Sequence, residues 1–245
     1  MDLYLTDPPY GVNYVGGMED ELTIANDNLE EEELQGFLAQ AFSAAEKVLK
    51  PGGAFYIWHS SWTVGEFLSG LRDAGLDARQ TLIWVKSQLV LGRQDYQWQH
   101  EPCLYGWKEG EEHYFTESRT ETTVFQEAEH LNLNVMKKDE LRELCEKLIA
   151  AGETPSTVIC EQKPAVNDVH PTMKPVKLFG RLIRNSTRPK ECVLDTFGGS
   201  GTAIIACEQL NRRCFTMELD PRYCDVIIDR WEKFTGRKAE LLSGK

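Results

Sequence analysis

The sequence of 245 residues contains no long hydrophobic run, no internal repeat and no segment of low complexity. No apolar run approaches the roughly 20 residues that a membrane-spanning helix needs, and the N-terminus lacks a basic region followed by an apolar signal segment. Hydrophobic residues make up 41% of the chain and charged residues 27%, which argues against a disordered protein. The sequence therefore predicts a folded protein with one large domain or two small ones.

Cysteine is present without the spacing of a disulfide framework or of a zinc site. The seven cysteines are odd in number and form no Cys-x-x-Cys pair, which favours free thiols in a reducing, cytoplasmic compartment. The five histidines show no metal-ligand spacing, so we expect no metal site. Four of them are interpreted as surface or structural side chains: His59, His100, His113 and His130.

Positive charge is scarce, because 27 Lys and Arg residues face 39 Asp and Glu residues and the net charge is -12. Binding to phosphate needs lysine and arginine, so this balance counts against a nucleic-acid partner. It does not exclude one, since only the contacting face must be basic. Acidic runs such as Glu19–Glu21 and Glu30–Glu33 are typical of solvated faces. Composition alone leaves the partner open.

Strands and helices alternate in the N-terminal part of the chain. Leu3–Thr6 is predicted as a short buried strand, which ends at two prolines because proline has no backbone N–H. Asn28 is predicted as a helix cap with Glu31 three residues later, and apolar residues from Leu34 to Leu49 form one stripe. Further along we predict a strand at Ala54–Trp58, a helix from Val64 to Ala74 and a strand at Gln80–Val85.

The alternation stops between about Leu89 and Val169, apart from a predicted strand at Cys103–Trp107 and a predicted helix at Lys138–Ala151. It resumes at Pro175, which is expected to be the first residue of a helix. Beyond this helix we predict a strand at Cys192–Leu194, a helix at Gly201–Leu210, a strand at Cys214–Met217 and a helix at Pro221–Phe234. The sequence therefore predicts one α/β domain, a doubly wound and mostly parallel sheet with an irregular insertion.

A glycine-rich turn follows the strand at 192–194. Directly after Asp195 it consists of Thr196, Phe197, Gly198, Gly199, Ser200, Gly201 and Thr202. Glycines at such a turn let the backbone come close to a ligand at the carboxyl end of a sheet. Glu218 lies 20 residues after Gly198, where an acid can hold the two ribose hydroxyls of a nucleoside cofactor. The spacing is neither Gly-x-Gly-x-x-Gly nor that of a phosphate loop, so a plain tight turn with a solvated glutamate stays an alternative.

The tetrapeptide Asp7-Pro8-Pro9-Tyr10 follows the first predicted strand. Its prolines restrict the backbone, so an acid, a carbonyl group and an aromatic face are held in a fixed relation. Asp7 and the Pro8 carbonyl can each accept one N–H of an exocyclic amine, while Tyr10 stacks on the ring of a planar base. The alternative is an ordinary Pro-Pro turn in which Tyr10 is simply packed.

The two turns together resemble the motifs of a known family. Asp-Pro-Pro-Tyr after one strand and Phe-Gly-Gly-Ser-Gly after another are similar to those of the amino-group DNA methyltransferases, Rossmann-like enzymes that use S-adenosylmethionine. The order, with Asp7–Tyr10 first and Phe197–Gly201 last, resembles the circularly permuted β group of this family. A third family motif is His170–Pro175, and the stretches Leu49–Gly53 and Gly92–Lys108 are typical of bacteriophage and prophage members.

The resemblance implies a site for S-adenosylmethionine and a division of the chain. Asp195, the glycine-rich turn and Glu218 would hold the cofactor, and His170, Thr172, Met173, Lys174 and Pro175 would close over its methionine end. Residues 1–108 would form the catalytic half of the methyltransferase domain, residues 109–168 a target-recognition insertion and residues 169–245 the cofactor-binding half.

The resemblance also implies the substrate and the reaction. A base of double-stranded DNA would leave the helix stack and enter a pocket made by Asp7, Pro8, Pro9 and Tyr10, where its amine attacks the methyl group directly. Aspartate in the first position points to N6 of adenine, with N4 of cytosine as the alternative. Members of this group often form dimers, so a homodimer is an expectation. The expected DNA contacts are Arg93, Gln94, Trp98, Gln99, Arg119 and Lys137.

Two other functions stay open. An RNA or protein-glutamine methyltransferase is disfavoured by Asp7 and by the motif order, whereas a non-catalytic DNA-binding subunit is compatible with the acidic charge. The strand that normally completes the adenine pocket of the cofactor is expected after helix 221–234. Either Ala239–Leu242 begins that strand or the chain is a piece of a longer protein, and we hypothesise that the adenine end of the cofactor is held loosely.

Overall fold

The computed structural model describes residues 1–12, 29–91, 95–126 and 173–242, and these residues form one sheet of seven strands. The strands are β1 (Leu3–Thr6), β2 (Ala54–Trp58), β3 (Ala78–Val90), β4 (Trp98–Trp107), β5 (Val124–Gln126), β6 (Cys192–Asp195) and β7 (Arg213–Thr216). Their order across the sheet is β5–β3–β4–β2–β1–β6–β7. Only β4 among them is antiparallel to its neighbours, so the prediction of a mostly parallel sheet is confirmed.

Helices cover both faces of this sheet. The described helices are α1 (Glu31–Val48), α2 (Val64–Asp73), α3 (Val176–Ser186), α4 (Thr202–Gln209) and α5 (Pro221–Thr235). On one face, Leu38 of α1 and Phe67 of α2 pack with Ile57 of β2. On the opposite face, Leu182 of α3 and Ala206 of α4 belong to a second core. The predicted doubly wound architecture is thus confirmed.

The central strand β1 is buried on both faces, which explains its uninterrupted apolar sequence. Leu3 and Leu5 belong to the core under α3 and α4, whereas Tyr4 belongs to the core under α1 and α2. Successive side chains of a strand point to opposite faces, so one short strand contributes to both cores.

Several predicted boundaries move by a residue. Pro175 has an extended ψ of 135° and is the N-cap of α3, so its prediction as the first helical residue was wrong. Its carbonyl accepts the helix bond from the Phe179 N–H at 3.3 Å, which is the role of a cap residue. The predicted cap Asn28 lies outside the described residues, and Glu30 is the N-cap of α1. The last residue of that helix, Val48, is 49% exposed, so it does not continue the buried stripe.

The largest difference concerns the β3–β4 hairpin. Both strands are longer than predicted, and β5, which pairs with β3, lies in the segment that was expected to be irregular. The outer parts of the hairpin carry polar or exposed residues such as Lys86, Leu89 and Gln99. Strand pairing there rests on backbone hydrogen bonds rather than on burial, so no alternation of apolar residues marks it.

Two other predicted elements have different outcomes. The helix expected at Lys138–Ala151 lies outside the described residues. Ala239–Leu242 is not a strand, and the side chains of Leu241 and Leu242 are almost fully exposed. A bilayer needs a long apolar stretch that none of the described helices provides.

Candidate functional site

The two motif turns meet at one edge of the sheet. β1 and β6 are adjacent and parallel, and the chain leaves β1 toward β2 on one side and β6 toward β7 on the other. A crevice opens at the carboxyl ends of two strands whose connections diverge in this way. The Asp7–Tyr10 turn follows β1 and the Thr196–Gly201 turn follows β6. The fold therefore places both predicted turns on the rim of the same crevice.

Hydrogen bonds fix the Asp7–Tyr10 turn in one shape. Pro8 and Pro9 are buried, and the Tyr10 hydroxyl donates to Asp7 Oδ1 at 2.7 Å. The Thr63 hydroxyl, at the start of α2, donates to the Tyr10 carbonyl at 2.8 Å. The Tyr10 ring also meets the Phe67 ring edge-on, with centroids 6.3 Å apart. The acid and the aromatic ring are thus held together, as predicted.

Lys174 completes this turn from a distant part of the chain. Its ammonium group donates to Asp7 Oδ2 at 2.6 Å and to the Tyr10 hydroxyl at 3.0 Å. It also pairs with Glu101 Oε2 on β4, at 2.8 Å. The resemblance placed Lys174 at the cofactor, whereas the structure brings its side chain to the proposed catalytic acid. Glu101 was missed in the sequence, because it lies before the predicted strand Cys103–Trp107, in the polar first part of β4 beside Gln99 and His100.

The charges around Lys174 determine its protonation. Burial acts to lower the pKa of the Lys174 ammonium, but the Asp7 and Glu101 carboxylates outweigh it and raise that pKa. Burial acts to raise the pKa of Glu101, yet the ammonium groups of Lys174 and Lys86 bring it down to about 2. Burial and the Asp7 and Glu101 carboxylates raise the pKa of Tyr10 well above its usual range. Near neutral pH the Tyr10 phenol therefore stays a hydrogen-bond donor.

The glycine-rich turn requires glycine at two positions, Gly198 and Gly201. A Cβ on Gly198 would lie 2.6 Å from the Thr216 hydroxyl oxygen, and Gly201 has a φ of 80°. The Glu218 carboxylate lies against this turn, because its Oε2 accepts from the Gly199 N–H at 2.7 Å. Its Oε1 accepts from two N–H groups of the following turn, so the predicted acid and the glycine turn are in direct contact.

Asp195, the last residue of β6, joins the end of β1 to the start of the glycine-rich turn. It is 3% exposed, and its Oδ1 accepts from the Thr6 hydroxyl at 2.8 Å and from the Phe197 N–H at 3.2 Å. Burial, together with the nearby Asp7 and Glu218 carboxylates, raises the pKa of Asp195 to about 7 in spite of these two bonds. The carboxyl is thus half protonated near neutral pH.

The contribution of Asp195 to the stability of the ligand-free protein is expected to fall as the pH rises from about 4 to about 7, because folded Asp195 keeps a proton that the unfolded chain has already released. This single group changes the free energy of unfolding by up to about 1.4 kcal/mol per pH unit. Asp195→Asn keeps an acceptor for Thr6 without a charge, so it should remove this contribution. Denaturant unfolding of both proteins at pH 5 and pH 8 measures it, and equal slopes against pH would contradict the raised pKa.

The remaining residues that were predicted to hold the cofactor lie in or near these turns where the structure describes them. The Thr202 hydroxyl donates to the Lys174 carbonyl at 3.3 Å and ties α4 to the third motif. Phe197 meets Phe37 of α1 with ring centroids 5.8 Å apart, and Arg230 of α5 donates to the Ser200 carbonyl. Met173 is half-buried beside Lys174 in the chain. His170 and Thr172 lie outside the described residues.

The predicted DNA contacts are not brought to one place. Trp98 and Gln99 are exposed at the start of β4. Because β4 is antiparallel, its start lies at the edge that holds the candidate site. Arg119 is exposed in a segment that bonds to Asn185 near the far end of α3, so it lies away from Lys174. Arg93, Gln94 and Lys137 fall outside the described ranges. No cluster of metal-binding side chains is present within the described ranges.

The chain matches a known protein family over most of its length. The family model N6_N4_Mtase, described as DNA methylase, matches residues 1–229. The chain belongs to this family. The Type II methyltransferase M.BglII of Bacillus subtilis is 24% identical over 244 residues, covering 92% of this chain and 62% of its own length. The chain thus spans less than two thirds of that relative.

Solved structures support the same fold for this DNA methylase family member. TTHA0409 of Thermus thermophilus in complex with S-adenosyl-L-methionine has a TM-score of 0.62 and 21% identity, covering all of this chain and 91% of that one. The cytosine-N4-specific PvuII DNA methyltransferase has a TM-score of 0.63 and 18% identity, covering 96% and 83%. The permuted β group and the phage type stay predictions.

Proposed function

We propose that the chain transfers a methyl group from S-adenosylmethionine to the exocyclic amine of a base in double-stranded DNA, with N6 of adenine as the target. The observation that carries the proposal is the pairing of two turns on one crevice. One turn presents a carboxylate whose orientation two donors fix, and the other presents a glycine backbone with an acid against it. Membership of the DNA methylase family supports this function for residues 1–229.

The residues of the second turn suit a nucleoside cofactor. Glycine backbone at the start of α4 permits close approach, and the Glu218 carboxylate beside Gly199 can accept from ribose hydroxyls. Asp195 directly precedes this turn, and Phe197, Ser200 and Thr202 belong to it. When bound, S-adenosylmethionine supplies a methyl group on a positively charged sulfur. The complex of TTHA0409 with S-adenosyl-L-methionine supports the same cofactor here.

The residues of the first turn would prepare the amine for attack. The amine lone pair is conjugated with the base ring and is a poor nucleophile. Asp7 and the Pro8 carbonyl would each accept one amine N–H and favour the pyramidal, reactive form, while Tyr10 stacks on the base. The nitrogen then forms a bond to the methyl carbon as the carbon–sulfur bond breaks, and the methylated nitrogen loses one proton. Most of the rate would come from positioning and electrostatics.

Exposed aromatic side chains at the same edge fit a DNA partner. Trp62, between β2 and α2, is 78% exposed, and Tyr96, just before β4, is 91% exposed. Trp98 lies two residues further along. Aromatic rings can stack on unpaired bases, and a flipped base leaves a gap and an unstacked neighbour. This surface supports double-stranded DNA as the partner despite the negative net charge.

The alternative target is N4 of cytosine. The same turn could hold the cytosine amine, because only the two N–H groups and a planar ring are required. The cytosine-N4-specific PvuII methyltransferase, with a TM-score of 0.63, favours keeping this alternative. Aspartate at position 7 favours adenine through the family resemblance alone.

Transfer of labelled methyl groups to unmethylated double-stranded DNA, followed by mass spectrometry of the nucleosides, tests the proposal. We expect N6-methyladenine as the product. N4-methylcytosine would keep the reaction and overturn the base. A folded chain that binds DNA and cofactor without transferring a methyl group would contradict the proposal and favour the non-catalytic DNA-binding subunit.

A further inference from the structure

The ammonium group of Lys174 lies between carboxylates that come from different parts of the fold. Only 4% of its side chain is exposed, and it contacts Asp7 Oδ2 at 2.6 Å and Glu101 Oε2 at 2.8 Å. Its third partner is the Tyr10 hydroxyl at 3.0 Å. An ammonium group has three N–H donors, so these three acceptors use its full capacity. The group is therefore held in three directions.

Glu101 provides the Lys174 ammonium with a second carboxylate partner besides Asp7. Its Oε1 pairs with the Lys86 ammonium across the β3–β4 hairpin, so the charges alternate from Lys86 through Glu101 and Lys174 to Asp7. A buried cation needs a carboxylate partner. Asp7 would also have to bind a substrate amine, whereas Glu101 has no such second task. Glu101 can thus keep Lys174 in place while Asp7 engages the substrate.

We propose that Glu101 is a positioning residue for methyl transfer, holding the Lys174 ammonium, which in turn orients the Asp7 carboxylate and the Tyr10 hydroxyl. This inference rests on the proposed function, in which Asp7 accepts an amine hydrogen bond. Each Asp7 oxygen already receives one bond, Oδ1 from Tyr10 and Oδ2 from Lys174. A carboxylate oxygen has about two acceptor positions, so each oxygen keeps one for the amine. The bonds from Tyr10 and Lys174 therefore set the direction in which Asp7 can accept the amine N–H.

The rings around the ammonium group add to this restraint. Lys174 Nζ lies 5.4 Å from the centroid of the Tyr10 ring and 5.4 Å from that of the buried Trp58 ring. A cation within about 6 Å of an aromatic ring is attracted to its face. Without Glu101, Asp7 would be the sole carboxylate partner of Lys174. The attraction between these two side chains would then draw Asp7 away from the position where it meets the substrate amine. A misplacement of about 1 Å can lower a rate by about 100-fold.

The test is Glu101→Gln, which keeps the shape and one acceptor oxygen but removes the charge. We expect kcat to fall by about tenfold or more, while KM for cofactor and for DNA changes less than about threefold. Glu109→Gln is the matched control, because Glu109, two residues after β4, forms an exposed pair at 2.6 Å with Arg79 of β3, and the kcat of this variant should be unchanged. A Glu101→Gln enzyme with wild-type kcat overturns the proposal.

Lys86→Met covers the case in which Glu101→Gln does not fold. It removes the partner of Glu101 and leaves the Lys174–Asp7 pair intact, so kcat should fall by about threefold or more at unchanged KM. A wild-type kcat in this variant would contradict the proposal. A loss that appears in KM and in folding, with kcat intact, would mean a merely structural role.

A measurement without turnover separates this inference from the proposed function. In protein labelled with ¹⁵N-lysine, Lys174 should give a slowly exchanging ammonium signal, identified by its loss in Lys174→Met. We expect both Glu101→Gln and Asp7→Asn to shift it, and a signal that Glu101→Gln leaves unmoved overturns the inference. Absence of methyl transfer by the wild-type chain would instead contradict the proposed function.

Discussion

Asp7→Asn is expected to lower kcat for methyl transfer by about 10²–10³-fold, with cofactor binding within about threefold of the wild type. The substitution keeps the shape of the side chain but replaces one carboxylate oxygen with an N–H₂ group. That group cannot accept from the substrate amine or from Lys174, whose ammonium lies 2.6 Å from Asp7 Oδ2. Lys174 would then be paired with Glu101 alone. Single-turnover transfer to unmethylated DNA measures the rate without product release.

Asp229→Asn is the matched control for this substitution. Asp229 lies on α5, is 63% exposed and pairs with Lys233 one turn along the helix. Exposed pairs of this kind contribute about 0–1 kcal/mol, so activity and stability should stay near those of the wild type. An Asp7→Asn enzyme that retains a tenth or more of the wild-type rate would argue against Asp7 as the acceptor of the amine bond.

Gly198→Ala is expected to weaken cofactor binding by about tenfold or more and to destabilise the fold by about 1–3 kcal/mol. The added Cβ would lie 2.6 Å from the Thr216 hydroxyl oxygen and 3.2 Å from the Met217 carbonyl oxygen. The backbone oxygen belongs to the pairing of the turn, because the Gly198 N–H donates to it at 2.8 Å. The turn must therefore move, and with it the contact between Gly199 and Glu218. Calorimetric titration with S-adenosylmethionine and thermal unfolding measure the two effects.

Gly36→Ala provides the control, since it makes the same change on the exposed side of α1. No atom lies within 4 Å of a Cβ at Gly36. Alanine is favoured over glycine in a helix by about 0.5–1 kcal/mol, so this variant should bind cofactor normally and unfold at an equal or higher temperature. Wild-type binding and melting of Gly198→Ala would show that the turn tolerates a side chain and is not the close-approach site proposed.

The predictions for Asp7 and Gly198 rest on two separate features of the structure. The Gly198 effect comes from backbone geometry within one turn, where the neighbours of the missing Cβ are already in contact. The Asp7 effect comes from the alternation of charges along Lys86, Glu101, Lys174 and Asp7, which spans three strands and a helix start. Failure of one expectation would leave the other standing.

Local signals in the sequence predicted the motif turns correctly as turns at strand ends. Proline lacks a backbone N–H and restricts the backbone at residues 7–10. Glycine lacks a Cβ and frees the backbone at residues 198–201, and both effects are independent of the surrounding structure. The strands β1 and β2 were predicted with their observed bounds, because they are buried on both faces and apolar throughout. The hairpin β3–β4 was predicted too short, since its outer part is held by backbone pairing and is partly exposed.

The amino-acid sequence alone thus establishes the class of fold, the two turns and the residue types that can bind an amine and a nucleoside. It could not reveal that Lys174 meets Asp7 or that Glu101 holds Lys174. Those contacts join segments far apart in the chain, and they arise because β4 runs antiparallel next to β2 while α3 begins at the same edge. Strand order and direction result from packing over the whole sheet, so only the folded chain determines which carboxylate a buried ammonium group will meet.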